Sequence, residues 1–193
     1  MVSVLILIRM RNAKSRLSGI LRQEMREKLT ALMFSRVLSS VGGLPVYVLS
    51  PTLFEGDFVW IEDTWKDINS VVKKACERID DDLLILPSDI PAITKEDVIT
   101  ILAHNEDLVF VPARDGGTNA LFMKKGISFE THYGPKSFFL HKKEAEEKGL
   151  SFCVLPLETI RDVDTEEDLL WYHARADEEM KKFISSLLAK PNP

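Results

Sequence analysis

Four consecutive apolar residues, Leu83-Leu84-Ile85-Leu86, run straight into Pro87-Ser88-Asp89-Ile90-Pro91. A strand without polar alternation is buried on both faces, which places it in the middle of a parallel sheet covered by helices. In open α/β sheets, ligands collect just beyond the carboxyl ends of the strands. An aspartate held between two prolines at that point is placed to hold Mg²⁺ and, through it, the phosphates of a nucleotide. The alternative is that Asp89 only turns the chain before a helix beginning near Thr94.

The rest of the chain builds such a sheet. Strands are expected at 2–8, 46–49, 58–61, 83–86, 108–111, 119–123 and 152–155. Met25, Leu29, Leu32, Met33 and Val37 have helical spacing, so a helix covers about 22–41 and stops at Gly42-Gly43. Ile68, Val71, Val72, Ala75, Cys76 and Ile79 mark a second amphipathic helix. Thr94-Lys95-Glu96-Asp97 has the form of a helix N-terminal capping pattern, and Thr165-Glu166-Glu167-Asp168 starts the last helix. The first of these helices reaches about His104, and the second is expected to run unbroken to about Leu188. A further helix covers 135–148. The alternation predicts an α/β fold with a Rossmann-like, mixed but mostly parallel sheet flanked by helices. The last third adds an antiparallel strand or two. No repeat or linker divides residues 1–189, which read as a single domain; 190–193 read as a disordered tail.

Several function classes drop out. With 25 Lys plus Arg against 30 Asp plus Glu, the formal net charge of -5 argues against nucleic acid as a partner. The apolar run 2–8 is too short to span a membrane and lacks the flanks of a signal peptide. Cys76 and Cys153 read as small core residues of a cytoplasmic protein. No CxxC or HExxH spacing marks a zinc site. No GxGxxG or GxxxxGK[ST] marks a dinucleotide-fold dehydrogenase or a P-loop NTPase.

Four segments remain that can carry chemistry. Arg9, Arg11, Lys14 and Arg16 crowd the loop after the first strand, a place where cations suit a polyphosphate; the plain reading is a solvated basic loop. In Arg114-Asp115-Gly116-Gly117-Thr118-Asn119, the glycines let backbone amides approach an anion, and Thr118 and Asn119 add donors. The same residues also read as a hairpin turn. Gly134-Pro135-Lys136-Ser137 opens a helix with free amides suited to phosphate or carboxylate, or is an ordinary capped start. His141 follows Ser137 by one turn, and either faces the same pocket or is an ordinary surface histidine. Asp162 and Asp164 flank Val163, so in an extended chain both acids point one way while Val163 faces the core. Two such acids repel unless a cation sits between them, and with Asp89 they make an all-oxygen site suited to Mg²⁺. The alternative is that Asp164 and Thr165 cap the following helix. Asn69, beside Asp67 at the start of the second helix, is placed either to contact a base edge or to cap the helix. Trp60 and Trp65 read as core or dimer contacts.

Taken in order, Ala13-Lys14-Ser15-Arg16-Leu17-Ser18, Ser88-Asp89-Ile90-Pro91, Gly116-Gly117-Thr118-Asn119-Ala120-Leu121 and Asp162-Val163-Asp164-Thr165 resemble the 2-phospho-L-lactate guanylyltransferases of coenzyme F420 biosynthesis. Gly134-Pro135-Lys136-Ser137-Phe138 and His141 fall between the last two motifs, and the resemblance covers nearly the whole chain. It implies a nucleotide-diphospho-sugar transferase (glycosyltransferase-A-like) fold. It also implies a Mg²⁺-dependent, homodimeric enzyme that transfers GMP from GTP to 2-phospho-L-lactate. By position, Asp89, Asp162 and Asp164 belong to the metal site, and Lys14 and Arg16 meet the nucleotide phosphates. Thr118, Gly134 and Ser137 hold the phospho-acid. With the readings above, the expected catalytic set is Asp89, Lys14 and Arg16. The nucleotide set adds Asn69, Ser88, Gly116 and Gly117, and the acceptor set adds Arg9 and Asn119. Relatives carry a proline and then a lysine after the first strand, where this chain has Leu7 and Arg9. Arginine keeps the charge without being equivalent to lysine.

This chemistry needs no enzyme nucleophile, because a phosphate monoester with a second pKa of about 6 is already largely dianionic near neutral pH. The lack of a Ser/His/Asp or Cys/His arrangement is therefore in keeping with it. The rival acceptors are phosphoenolpyruvate and 3-phosphoglycerate. A molybdenum-cofactor guanylyltransferase would need a Gly-rich first loop that is missing here. A non-catalytic nucleotide binder would have no need of three acids.

Overall fold

The apolar runs at the amino terminus and at 83–86 become the two central strands, β1 (Val2–Leu7) and β4 (Asp82–Pro87), which pair in parallel. The computed structural model describes residues 1–8, 10, 13–53, 55–63 and 67–189. Arg9, Arg11, Trp65 and the tail 190–193 lie outside the described residues.

The other strands are β2 (Val46–Ser50), β3 (Val59–Glu62), β5 (Leu108–Pro112), β6 (Thr118–Met123) and β7 (Phe152–Val154). The sheet order is β3-β2-β1-β4-β6-β5-β7. All pairings are parallel except those of β6, which runs antiparallel to both β4 and β5. The 113–117 segment is thus a hairpin turn, and β6 is the antiparallel strand expected late in the chain.

Side chains alternate across the central strands. Val4, Ile6, Leu84 and Leu86 face α1 (Gln23–Ser40) and α3 (Lys95–Leu102), packing with Phe34, Val37, Val98 and Ile101. Leu5, Leu83 and Ile85 face α2 (Ile68–Arg78) and α4 (Ser137–Glu147), packing with Val72, Ala75 and Ala145. Each such side chain contributes roughly 1.5–3 kcal/mol by leaving water.

The last helix is not continuous. α5 (Glu166–Arg175) and α6 (Glu178–Leu188) are separated at Ala176, whose backbone is extended. Asp177 caps the second by accepting from the Met180 amide at 2.9 Å, and its carboxylate pairs with Arg36 at 2.7 Å. The break folds α6 back, so that Met180, Ile184 and Leu187 join Leu169 and Tyr172 in a third core cluster. That cluster also takes in Leu17 and Val163, both fully buried. The predicted capping box forms at Thr94/Asp97, and a second forms at Thr165/Asp168. No helix among the described residues is long and apolar enough to cross a membrane.

Candidate active site

The chain leaves β1 toward β2 and β3 on one side, then crosses to β4 on the other. The carboxyl ends of β1 and β4 therefore bound a crevice at the switch point, where ligands of open α/β sheets bind. Pro87, Ser88 and Asp89 emerge there. The Ser88 amide donates to the Leu7 carbonyl at 3.0 Å, and the Val163 amide donates to the Asp89 carbonyl at 2.9 Å. The second bond brings the acidic segment to Asp89. Val163 turns inward as its spacing predicted, and Asp162 and Asp164 are left at the crevice.

Leu17 shares a core cluster with Val163. Lys14, three residues before Leu17, is thereby delivered beside Asp164. Its ammonium lies 2.6 Å from Asp89 Oδ2 and 2.6 Å from Asp164 Oδ1, with the side chain only 5% exposed. Lys14 also adopts a left-handed backbone, φ 55°, a strain of about 1–3 kcal/mol that the two ion pairs offset. Burial works against the ammonium, but the Asp89 and Asp164 carboxylates more than compensate, and the Lys14 pKa is raised. Arg16 reaches Asp164 at 3.4 Å and is 66% exposed. Thr165 and Asp168 cap α5 between themselves, so the Asp164 carboxylate is free for these cations.

Two cavities meet at Asp89. One of about 460 Å³ is lined by Lys14, Ser15, Arg16, Ser88, Asp89 and Asp164. The other, about 220 Å³, is lined by Gly117, Thr118, Asn119, Gly134, Ser137 and Asp162, with Asp89 again in its wall. Pro87 and Tyr133 also border both. A larger cavity of about 680 Å³ lies elsewhere, between α2 and residues 124–132, without the acids or Lys14.

Several expected residues are placed differently from their anticipated use. The Asn69 amide is engaged on both sides, donating to the Tyr133 carbonyl at 3.1 Å and accepting from the Tyr133 amide at 2.6 Å. It clamps Tyr133 rather than standing free at a base edge, while Asp67 caps α2. The Gly116 and Gly117 amides are spent inside the hairpin turn, on the Ala113 carbonyl and the Asp115 carboxylate. Gly116 has φ +86°, and an added Cβ would sit 3.1 Å from the Phe139 ring. Gly117 lines the cavity without Lys14. The start of α4 is less open than its sequence implied, since Ser137, Phe138 and Phe139 amides bond the carbonyls of Gly134, Gly116 and Lys136. Arg9 is outside the described residues.

The three acids differ in their compensation. Asn119 donates to Asp162 Oδ1 at 3.2 Å, yet among the described residues no cation pairs with this carboxylate. Burial, with Asp89 and Asp164 nearby, raises the Asp162 pKa. A carboxylate lacking a counter-cation, in a set of hard oxygen donors, fits a divalent cation such as Mg²⁺. The ligand atoms of the three acids do not all come within 4.8 Å of one another. Among the described residues the trio that does is His104, Glu106 and Cys153, at the amino ends of β5 and β7 and away from the crevice.

A prediction follows from the sign of the Asp162 shift. A carboxyl pKa raised by folding penalises the folded state once pH exceeds that value, and not below the unfolded value. At neutral pH without divalent ions, Asp162→Asn is therefore expected to raise Tm by a few degrees. Millimolar Mg²⁺ should raise the wild-type Tm and leave that of the variant nearly unchanged. Thermal unfolding of both proteins with and without Mg²⁺ checks this, and an equal Mg²⁺ response in the two would contradict it.

The family described as "Guanylyl transferase CofC like" matches residues 2–189. The 2-phospho-L-lactate guanylyltransferase of Methanosphaerula palustris is 37% identical over 162 residues, covering 82% of this chain and 78% of the relative. That of Methanocaldococcus jannaschii is 33% identical over 187 residues, covering 90% and 83%. In three dimensions, a Desulfovibrio desulfuricans protein described as a nucleotide-diphospho-sugar transferase superposes with a TM-score of 0.77 at 16% identity, covering 97% of this chain and 96% of that one. A cytidylyltransferase from Leptospira borgpetersenii superposes at 0.55 with 17% identity, covering 100% and 98%. These two likenesses show that the chain shares the fold of these proteins. The family match over nearly the whole chain, with close relatives of one name, shows that the protein belongs to the CofC-like guanylyl transferases.

Proposed function

We propose that the protein transfers GMP from GTP to 2-phospho-L-lactate, giving lactyl-2-diphospho-5'-guanosine and pyrophosphate. The observation that carries this reading is the pair of cavities meeting at Asp89, one bordered by Lys14 and Arg16 facing Asp89 and Asp164, the other by the Thr118 and Ser137 hydroxyls. An oxygen of the acceptor phosphate attacks the α-phosphorus of GTP. The bond from that phosphorus to the bridging oxygen breaks, and the electrons leave with pyrophosphate. No proton need be removed from the acceptor.

Lys14 and Arg16 face the triphosphate and meet the charge that builds on the departing pyrophosphate. Thr118, Asn119, Gly134 and Ser137 surround the phospho-acid, and Ser88 borders the nucleotide. Asp89, Asp162 and Asp164 would hold Mg²⁺, which when bound neutralises phosphate charge. A cytoplasmic homodimer belongs to the same reading.

The test is pyrophosphate release from four nucleoside triphosphates, each with 2-phospho-L-lactate, phosphoenolpyruvate and 3-phosphoglycerate, in Mg²⁺. GTP with phospholactate is expected to lead, by about 10-fold or more in kcat/KM over the nearest acceptor. A lead for another phospho-acid reassigns the acceptor. No release with any pair would overturn the reading.

A further inference from the structure

The His141 ring is fully buried on α4 and stacks on Phe110, with centroids 6.2 Å apart and planes 6° from parallel. Its Nε2 lies 2.7 Å from the backbone nitrogen of His132. A backbone N–H can only donate, so Nε2 carries a lone pair and the ring proton sits on Nδ1. Burial pushes the His141 pKa down to about 4, and the ring is neutral in the physiological range.

Nδ1 lies 2.9 Å from Thr118 Oγ1, and Thr118 Oγ1 lies 3.1 Å from Ser137 Oγ. With the proton on Nδ1, His141 donates to Thr118. The two hydroxyls own two hydrogens, and their mutual bond uses one. The other has no taker within this chain of groups, and both hydroxyls line the 220 Å³ cavity. The opposite tautomer would reverse this. Thr118 would then donate to His141 and Ser137 to Thr118, and neither hydrogen would remain. The backbone offers little substitute, because the amides of Gly117, Ser137 and Phe138 are already bonded.

We propose that His141 is a positioning residue whose Nδ1–H directs one hydroxyl hydrogen of the Thr118–Ser137 pair into the small cavity, as a fixed donor to an anionic oxygen of the acceptor. This rests on the reading of that cavity as the phospho-acid pocket. An anion accepts such a bond on any of its oxygens, whereas a ligand offering a donor at that point would face a hydrogen. The device selects a carboxylate or phosphate without placing a full positive charge beside it.

Two variants separate donation from packing. His141→Phe keeps a ring against Phe110 and removes both nitrogens. His141→Asn restores a donor near the Nδ1 position but not the acceptor toward His132. His141→Phe is expected to raise the KM for phospholactate by about 10-fold or more, as for losing one hydrogen bond to a charged group. The KM for GTP should stay within about twofold, since that substrate occupies the other cavity. His141→Asn should recover most of the loss. An unchanged acceptor KM in His141→Phe, or equal changes in both substrates, overturns the role. Nitrogen NMR of the wild-type ring gives a reading independent of activity and of variant folding. A protonated Nδ1 supports the proposal, and a protonated Nε2 defeats it. Wild-type protein that transfers to no phospho-acid would instead defeat the acceptor reading itself, and the two failures are thus distinct.

Discussion

Replacing Asp89 with asparagine is expected to lower kcat by about 1,000-fold or more, at saturating Mg²⁺ and GTP, without unfolding the protein. Asp89 is the one acid in the walls of both cavities, so under the proposed reaction it stands between the two groups that react. A metal held at a phosphoryl centre is worth several kcal/mol of charge stabilisation, and each 1.36 kcal/mol is tenfold in rate. The fold should survive because the carbonyl of residue 89, not its carboxylate, takes the Val163 amide. The remaining Asp164 still pairs with Lys14 at 2.6 Å. Steady-state kinetics beside a circular-dichroism spectrum decide the matter. Wild-type-like turnover in Asp89→Asn would remove this residue from the reaction.

Lys14→Ala should damage stability and turnover together, and Mg²⁺ should repair only the first. Removing one partner of a fully buried ion pair costs about 3–5 kcal/mol. Here the acids keep 27% and 33% exposure, so water offsets part of the loss. A cost of about 2 kcal/mol gives a Tm fall of about 4–8 °C for a chain of this size. Added Mg²⁺ can replace the missing counter-charge between Asp89 and Asp164, and should return much of the Tm. It should not return kcat if the ammonium itself meets the departing pyrophosphate. Arg16→Ala should do less to stability, because Arg16 is 66% exposed and 3.4 Å from Asp164. A loop that acted only through long-range attraction would instead show similar small losses at both positions, fading in high salt. Tm and kcat for both variants, each at two salt concentrations and with and without Mg²⁺, separate these outcomes.

Lys14 also shows what spacing can and cannot reveal. Its crowding with other cations after β1 suggested a phosphate contact, with a solvated basic loop as the alternative. Nothing local announced that it would be buried, left-handed in its backbone and shared between two acids 75 and 150 positions away. The Asn69 side chain is similar. Its place at a helix start was legible, but its clamp on Tyr133 spans 64 positions and depends on how α2 docks. The Gly116 and Gly117 amides are closed within their own turn, by Ala113 and Asp115, whereas the start of α4 looked open because it was considered without the hairpin. The Phe138 amide is taken by the Gly116 carbonyl, a contact made only when the hairpin meets the helix.

The sequence by itself determined the elements and their faces. Apolar runs marked the buried strands, Thr94/Asp97 and Thr165/Asp168 marked two helix starts, and Val163 between two acids set which way those acids point. These are local consequences of side-chain period and of backbone groups that must be paired within a few residues. The break at Ala176 had one local signal that was passed over, Asp177 as an N-cap followed by Glu178 and Glu179, and tertiary structure decided how the second helix packs. Met180, Ile184 and Leu187 fold back onto the cluster holding Leu17 and Val163. Tertiary structure also decided which cation meets which acid, and which proton His141 carries. Those outcomes depend on distance, burial and the partner across the crevice, and such quantities exist only after the sheet has brought residues 14, 89, 118, 141 and 164 into their places.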